Sequence, residues 1–236
     1  MSEATVAVLG FHKVGRHPAG GWESWFYVSE AQFGGFLADI TETGWQPIDL
    51  QRFLRGLDDP ASLPRRSALL TFDDGYRSMR HVMLPTLQKF GMPAVLFVPT
   101  DFVGARNTFD AGVEPDEPIC DWDDLRALAA GGVAIQSHAA SHRRFSDLSR
   151  REREQELRCS KATLEGQLRT AVETIAFPYG DAGPDDERGA LASAGYRAAF
   201  LYGGGTVRMH GSDRFRLQRL AMGPTTNLRG ELEAAG

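Results

Sequence analysis

Two adjacent carboxylates close an apolar run in the segment LLTFDDGY, Leu69 to Tyr76. Two like charges at the edge of an apolar core raise each other's pKa or require a cation between them, so Asp73 and Asp74 are candidates for acid–base or metal chemistry. Asp-Asp-Gly is also a common way to leave a strand, because Asp caps backbone N–H groups and Gly75 can adopt a positive φ. On this segment alone, the simple turn is the favoured interpretation.

A second pair of chemically capable residues stands in SHAASH, Ser137 to His142. His138 and His142 are four residues apart, so one helical turn would place both imidazoles on one face, within reach of a single metal ion. The pair alone fits two solvated or core-packed histidines equally well. A carboxylate from Asp73 or Asp74 would complete a two-histidine, one-carboxylate set. That set favours a divalent metal, zinc first, with cobalt, nickel or iron as alternatives.

Such a set predicts hydrolytic chemistry. With one metal, one carboxylate binds the cation and the other removes a proton from water, while the metal polarises a carbonyl, which suits hydrolysis of an amide or an ester. A covalent acyl-enzyme is not favoured, because the sequence contains no G-x-S-x-G element. The glycine run at residues 203–205 lacks the lysine and helix of a phosphate-binding loop and is expected to be a flexible turn.

Strand-sized apolar runs alternate with amphipathic helical segments along nearly the whole chain, which is typical of a parallel sheet with crossover helices. The predicted strands are Val6 to Phe11, Ser67 to Phe72, Pro93 to Val98, Val133 to Ser137, Glu173 to Phe177, Tyr196 to Tyr202 and Phe215 to Leu220. About seven strands in this order predict an α/β fold with a closed or nearly closed parallel (β/α) barrel. A doubly wound open sheet is the alternative.

Helix boundaries are indicated by caps and breakers. The predicted helices are Ser29 to about Thr43, the segment LQRFLRGL capped by Asp49, the spacing from Met83 to Phe90, Asp121 to Ala130, Ser149 to Leu168, and Pro184 to Ala194. Ser29 and Ser149 each open a capping box. Pro85 is expected to kink or restart its helix, and Gly91 to end it. The polar residues 104–118 form a predicted surface loop, long enough to border a site.

Parallel barrels carry their chemistry at the carboxyl ends of the strands. His12 follows the first predicted strand, Asp73 and Asp74 the second, His138 the fourth, and Pro178-Tyr179-Gly180 the fifth. Four separated segments are therefore expected to converge at one rim.

Length and composition narrow the class of protein. The chain has 236 residues and a formal net charge of -5, which favours one large α/β domain over residues 1–236 and argues against a nucleic-acid partner. Cys120 and Cys159 match no zinc or redox spacing and are expected to be free thiols in a reducing compartment. No signal peptide or transmembrane segment is recognised, so a cytoplasmic location is expected.

Three ordered motifs resemble the polysaccharide deacetylases, the NodB-like fold of carbohydrate esterase family 4. They are TFDDGY at Thr71 to Tyr76, SHAASH at Ser137 to His142 and FPYG at Phe177 to Gly180. The resemblance extends from about Val6 to Leu220. It implies a distorted (β/α) barrel with fewer than eight repeats, and removal of acetyl from an N-acetylated sugar with release of acetate.

The resemblance also implies residue roles. Asp73 looks like the general base, and Asp74 looks like the metal ligand together with His138 and His142. The backbone N–H of Tyr179 would form part of an oxyanion hole around the tetrahedral intermediate.

The chain departs from the usual family pattern in two places. Most members carry an arginine where this chain has Ile175, and a late Leu-x-His that supplies the general acid; neither is found here. AVLGFHKV resembles the start of the permuted branch, the poly-N-acetylglucosamine deacetylases, in which the acid histidine precedes the Asp-Asp motif. His12 then takes that role. Arg219 is a candidate to replace the missing arginine that holds the base.

Substrate contact at the rim is predicted for Trp122, Pro178 and Arg219. Packing is favoured over sugar stacking for Trp22, Trp25 and Trp45. His81 is predicted to be exposed on a helix, and His17 receives no role. The expected substrate is an N-acetylhexosamine-containing saccharide, either an exopolysaccharide precursor or an oligosaccharide, and no oligomeric state is predicted. The alternatives are hydrolysis of an O-acetyl ester or a non-sugar amide, and a catalytically inactive saccharide-binding barrel.

Overall fold

The computed structural model describes residues 4–16, 24, 26–184 and 187–236. Its strands are β1 (Thr5–Phe11), β2 (Lys13–Val14), β3 (Tyr27–Val28), β4 (Gln46–Pro47), β5 (Arg66–Phe72), β6 (Ala94–Val98), β7 (Val133–Ser137), β8 (Thr174–Ala176), β9 (Ala198–Tyr202), β10 (Thr206–Arg208) and β11 (Leu217–Ala221). Its α-helices are α1 (Glu30–Glu42), α2 (Leu50–Asp58), α3 (Leu84–Phe90), α4 (Trp122–Ala130), α5 (Arg150–Leu168), α6 (Glu187–Ser193) and α7 (Leu228–Ala235).

Seven parallel strands close into a barrel. Their order is β1-β11-β9-β8-β7-β6-β5, and β5 pairs in parallel with β1 along its whole length, from Thr5 opposite Arg66 to Phe11 opposite Phe72. The predicted (β/α) barrel is therefore confirmed, and the open-sheet alternative is wrong. Two short strands distort the amino-terminal end of the barrel: β4 adds to β5, and β10 runs antiparallel to β1.

Three of the predicted helix starts are confirmed at their caps. Ser29 and Ser149 each accept a hydrogen bond from the backbone N–H three residues on, and Gln32 and Glu152 return the bond to complete the capping boxes. Asp49 caps α2 in the same way. Each cap satisfies a backbone donor that the first helical turn leaves without a partner.

Pro85 marks the change from a π-helical segment, Met79–Met83, to α3. The backbone stays right-handed helical across this junction, and Pro85 lies in the first turn of α3. Gly91 ends α3 with a left-handed φ of 65°, as predicted.

The barrel strands alternate between two apolar layers, because successive side chains of a strand point to opposite faces. On β1, Val6 and Val8 belong to the cluster that also contains Leu69 and Leu217, whereas Ala7 and Leu9 belong to the cluster that packs against the helices. The first cluster is the barrel interior. His12 directly follows β1 and is an even number of residues from Val6 and Val8, so it lies on the interior side at the carboxyl end of the barrel.

None of the described helices has the length and apolar character that spanning a membrane requires. Cys120 is buried and Cys159 is exposed, and both are free thiols, as expected.

Candidate active site

The inward-facing parity of the strands brings the predicted chemical residues together at the carboxyl end of the barrel. Asp73 is four residues after the inward-facing Leu69, and Tyr202 and Arg219 are each two residues after an inward-facing neighbour, Phe200 and Leu217. A cavity of about 310 Å³ opens there. Its described lining residues are His12, Phe26, Asp73, Asp74, Asp110, His138, His142, Arg144, Tyr179, Tyr202 and Ala221.

Asp74, His138 and His142 form a candidate metal site. Their ligand atoms all lie within 4.8 Å of one another, and all three side chains are buried. Asp74 Oδ1 is 3.4 Å from His138 Nε2 and 3.2 Å from His142 Nε2. Two imidazole nitrogens and one carboxylate oxygen converging on one point are the donor set of a zinc-type site.

The hydrogen bonds around these ligands fit a cation. His138 Nδ1 lies 2.7 Å from the carbonyl oxygen of Ala176, and because a carbonyl only accepts, Nδ1 carries a proton and Nε2, which faces Asp74, is the nitrogen that could bind a metal. Asp74 Oδ1 is buried and has no hydrogen-bond partner in the part of the chain that the structure describes. Burial acts to raise the pKa of Asp74, but the two histidines outweigh it and hold that pKa well below its usual value.

The two carboxylates diverge because of the backbone between them. Asp74 has a φ of 70° and Gly75 a φ of 73°, both in the left-handed region. Asp73 continues β5, and its N–H donates to the carbonyl of Phe11 at 3.0 Å. The left-handed turn then sends the Asp74 side chain toward the histidines. Asp tolerates this conformation better than most residues, so the turn and the chemical interpretation of Asp-Asp-Gly are compatible.

The prediction that His138 and His142 share a helical turn is wrong. Residues 138–142 form a loop in which Ala139 and His142 have φ values of 61° and 57°. The two left-handed residues fold the loop back, and the imidazole centroids lie 5.0 Å apart. The histidines therefore meet as predicted, but through a loop that the four-residue spacing does not reveal.

Arg219 holds Asp73 from beneath the cavity. Its guanidinium donates to both carboxylate oxygens at 2.7 Å, and it also donates to Thr71 Oγ1 at 3.1 Å and the carbonyl of Leu201 at 3.3 Å. Arg219 is 0% exposed, so it does not line the cavity, and the expected substrate contact is not seen. The structure instead places it where the missing family arginine would be needed.

Asp73 is kept ionised by this contact. Burial acts to raise the pKa of Asp73, but the Arg219 charge and hydrogen bonds outweigh it, and the pKa is lowered. The hydroxyl of Tyr202 donates to Asp73 Oδ2 at 3.0 Å, and burial keeps the pKa of Tyr202 well above its usual value, so this donor stays protonated. An ionised carboxylate beside a candidate metal site can accept a proton.

His12 lies near Oδ2 of Asp73. Its Nε2 is 4.0 Å from Asp73 Oδ2, and its ring stacks on Tyr202 with centroids 5.5 Å apart. Burial lowers the pKa of His12, which favours the neutral imidazole in the free protein at neutral pH. Gly10 makes this arrangement feasible, since a Cβ there would lie 2.5 Å from Cε1 of Tyr202.

Tyr179 forms part of the cavity wall. It lies in the turn Pro178–Gly180 with a φ of 58°, and its side chain is 46% exposed. Its ring lies 4.9 Å from that of His142, and the guanidinium carbon of Arg144 lies 4.2 Å from its centroid. The oxyanion role of its backbone N–H stays a prediction.

A second cavity of about 340 Å³ adjoins the first and shares His142, Arg144 and Tyr179 with it. Phe102 and Phe109 form one wall, with ring centroids 4.8 Å apart, and Phe109 also lies 4.1 Å from the ring of His142. Aromatic faces beside a few polar groups are typical of small-ligand sites.

The loop over residues 104–118 reaches the 310 Å³ cavity through Asp110, in agreement with the prediction that this loop is long enough to border a site. Tyr76 donates its hydroxyl to Asp110 Oδ2 at 3.1 Å. A buried ion pair fixes the same loop to β2: Lys13 Nζ lies 2.8 Å from Glu114 Oε2 and stands between the rings of Tyr27 and Tyr76. The loop is thus tied to the segment that follows His12.

Other predicted residues lie away from the cavity. Trp122 begins α4 and packs partly buried against the core, and it is not among the described lining residues; Pro178 is buried at the start of its turn. Trp45 is buried and donates Nε1–H to the carbonyl of Leu232, which confirms packing. His81 is exposed, as predicted. Trp22, Trp25 and His17 lie outside the described residues.

Sequence reasoning did not single out four of the polar and aromatic residues that line the cavity. These residues are Phe26, Asp110, Arg144 and Tyr202. Tyr202 ends a predicted strand, so the strand-end rule could have identified it. The other three stand in loops that no periodic pattern positions.

Comparisons with known proteins identify the family of the chain. A family model described as polysaccharide deacetylase matches residues 61–199. A Staphylococcus aureus poly-beta-1,6-N-acetyl-D-glucosamine N-deacetylase is 23% identical over 187 residues, covering 74% of this chain and 61% of the relative. The chain spans 51% and 26% of the lengths of two further relatives, from Bacillus subtilis and Escherichia coli.

Two solved structures share the fold over nearly the whole chain. A Streptococcus pyogenes deacetylase in complex with acetate superposes with a TM-score of 0.83 at 19% identity, covering 98% of both chains. IcaB from Ammonifex degensii superposes with a TM-score of 0.81 at 23% identity, covering 98% of this chain and 96% of IcaB. With more than half of its residues matched by the family model, the chain belongs to the polysaccharide deacetylase family.

Proposed function

We propose that the protein is a metal-dependent N-deacetylase that hydrolyses the acetamide of an N-acetylhexosamine-containing saccharide, releasing acetate and leaving a free amine. The observation that carries this proposal is the placement of Asp73, ionised by Arg219, beside the convergent ligand atoms of Asp74, His138 and His142 in one cavity. The relatives named for deacetylation of poly-N-acetylglucosamine support the choice of substrate class.

Asp74, His138 and His142 would hold the metal. Two imidazoles and one carboxylate favour zinc, and cobalt, nickel or iron suit the same ligands. When bound, such a cation lowers the pKa of water and polarises a carbonyl oxygen.

Asp73 is the proposed general base. Its lowered pKa keeps the carboxylate free to accept a proton from the attacking water, and the bidentate contact with Arg219 fixes its direction. Tyr202 donates to the Oδ2 atom, which limits the rotation of the carboxylate further. The backbone N–H of Tyr179 is the proposed donor to the developing oxyanion.

His12 is the proposed general acid for the departing amine. Because burial lowers its pKa, only a fraction of the imidazole is protonated at neutral pH, and the protonated form is a stronger acid than an ordinary histidine. Productive turnover then needs Asp73 ionised and His12 protonated, which gives a bell-shaped dependence of kcat/KM on pH.

Substrate preference is tested by acetate release from N-acetylglucosamine oligomers, acetylated xylan and a simple acetamide, with zinc-loaded and chelated protein. Release from the N-acetylated oligomers, lost on chelation and restored by metal, supports the proposal. Preferred release from xylan would support the O-acetyl esterase alternative, and preferred release from the simple acetamide would support a non-sugar amidase. If the protein bound the saccharide but released no acetate when loaded with zinc, cobalt, nickel or iron, this would support an inactive barrel.

A further inference from the structure

The loop that carries both metal-site histidines has a backbone conformation that it would not favour alone. Ala139 and His142 are non-glycine residues with φ values of 61° and 57°. A left-handed conformation costs an L-residue about 1–2 kcal/mol. Contacts from outside the loop must therefore stabilise it.

Glu156 on α5 supplies the main side-chain contact. Its Oε2 accepts hydrogen bonds from the backbone N–H groups of Ala140 at 2.7 Å and Ser141 at 2.8 Å, and its Oε1 accepts from the Ser141 hydroxyl at 2.6 Å. All three bonds are to a carboxylate, which makes them stronger than bonds between neutral groups. The two anchored residues stand between His138 and His142 in the sequence.

Backbone contacts hold the other side of the loop. Thr100 and Asp101 donate their N–H groups to the carbonyls of Ala139 and Ala140, at 3.3 and 3.1 Å. These bonds remain in any variant of Glu156. Glu156 is absent from the described lining of the catalytic cavity and of its neighbour, so its effect on the site must pass through the loop.

We propose that Glu156 is a positioning residue that sets the metal affinity of the site. By fixing residues 140 and 141, it holds His138 Nε2 and His142 Nε2 toward Asp74 Oδ1 before a metal arrives, so less ordering is required on binding. The inference rests on the proposed function only in requiring that this triad bind a divalent metal.

The test measures zinc affinity by competition with a chromophoric chelator, using full-length protein stripped of metal. Substitution of groups that orient metal ligands typically weakens affinity 10- to 100-fold, and we expect a loss in that range for Glu156→Ala. Glu156→Gln keeps an acceptor without the charge, and Ser141→Ala removes one of three bonds, so both should lose less. Glu154→Ala is the matched control, because Glu154 lies on the same helix and, among the described residues, forms its ion pair with Arg150 one turn away.

Urea unfolding of the metal-free variants separates positioning from general stability. The inference would be overturned if Glu156→Ala bound zinc with an affinity within threefold of the wild type, even if the variant were less stable. It would also be overturned if Glu154→Ala lost as much zinc affinity as Glu156→Ala. If Glu156→Ala does not fold, the graded losses in Glu156→Gln and Ser141→Ala decide the question. Wild-type protein that bound none of zinc, cobalt, nickel or iron would overturn the proposed metal site itself, and the inference with it.

Discussion

Replacing Arg219 with methionine removes the cation that stands against Asp73 and keeps an unbranched apolar side chain in the barrel interior. Arg219 and Asp73 are 0% and 1% exposed, and the guanidinium supplies two hydrogen bonds to the carboxylate. In the variant, only the Tyr202 hydroxyl still donates to that carboxylate among the partners described above. Removing one partner of a buried ion pair typically costs 3–5 kcal/mol.

A second estimate of the lost unfolding free energy gives a similar value. The variant can avoid a buried lone charge by protonating Asp73, which at pH 7 means holding a proton about three pH units above the ordinary pKa of an Asp. At about 1.4 kcal/mol per unit, this limits the electrostatic loss to ~4 kcal/mol. We therefore expect Arg219→Met to lose about 3–4 kcal/mol of unfolding free energy at pH 7.

The unfolding free energy lost in Arg219→Met should be smaller at acidic pH. In the wild type the lowered pKa of Asp73 contributes stability above the unfolded pKa of about 3.9, and this stability is lost as the pH falls through the folded value. In Arg219→Met, burial without the cation raises that pKa, so the ionised carboxylate destabilises the fold above about pH 3.9 and its protonation relieves the cost. Between pH 8 and pH 4 the protonation of Asp73 in the variant narrows the difference in stability between the two proteins, whereas the wild-type contribution is lost only below about pH 3.9.

The assay is urea unfolding from pH 4 to pH 8 with a chelator in every sample, so that metal binding adds nothing to stability. Arg126→Met is the control, because Arg126 pairs with Asp123 on the surface, where the side chains are 49% and 93% exposed, and should lose less than about 1 kcal/mol. In an Asp73→Asn background, Arg219→Met should cost much less. A loss below about 1 kcal/mol at pH 7 that does not vary with pH would refute the reasoning.

Three further predictions follow from single contacts. His12→Gln should lower kcat/KM by about 10²–10⁴ and remove the alkaline limb of the dependence of kcat/KM on pH. In the wild type this limb should lie below the ordinary His value of 6.5, because burial lowers the pKa of His12. An unchanged alkaline limb in the variant would exclude His12 as the acid. Gly10→Ala should displace the Tyr202 ring and cost about 1–3 kcal/mol in urea unfolding, whereas Gly34→Ala, with nothing within 4 Å of its new methyl, should not destabilise. Arg144→Gln should raise KM for N-acetylated oligosaccharides more than for the monosaccharide, because Arg144 lies where the two cavities meet. The zinc content of the variant should be unchanged. An equal rise in KM for both substrates would contradict this prediction.

The barrel could be predicted because its strands carry a local signal. Each long strand is an apolar run bounded by polar or breaking residues, and parallel order follows from the intervening helices. β4 and β10 lack such a signal, since Gln46–Pro47 and Thr206–Arg208 are short edge additions fixed by their neighbours. The distortion of the barrel was therefore implied by the family resemblance and not by periodicity.

Those residues of the candidate site that directly follow a strand could be predicted from the sequence. His12, Asp73 and His138 follow strands directly, and their shared parity brings them to the barrel mouth. The turn at residues 138–142 was not predictable, because its left-handed residues are Ala139 and His142 and not glycine. Side-chain identity gives no sign of that conformation, which depends on contacts with α5 and the loop after β6.

Arg219 shows how a distant residue can replace a missing motif position. Ile175 stands where the family arginine is expected, on β8, whereas Arg219 reaches Asp73 from β11 across the barrel interior. The missing arginine and the missing late Leu-x-His are the two departures that favour an inactive barrel. Because Arg219 holds Asp73 by two 2.7 Å hydrogen bonds, the missing arginine no longer favours it.

The central claim is that Asp73 is the base of a metal-dependent N-deacetylase. The most direct test is to quantify acetate and free amine together from one N-acetylglucosamine oligomer, comparing zinc-loaded wild type with zinc-loaded Asp73→Asn at equal metal content. The account predicts equal amounts of acetate and amine from the wild type, and loss of both in Asp73→Asn although zinc stays bound. Turnover by Asp73→Asn at the wild-type rate, or acetate without matching amine, would contradict it.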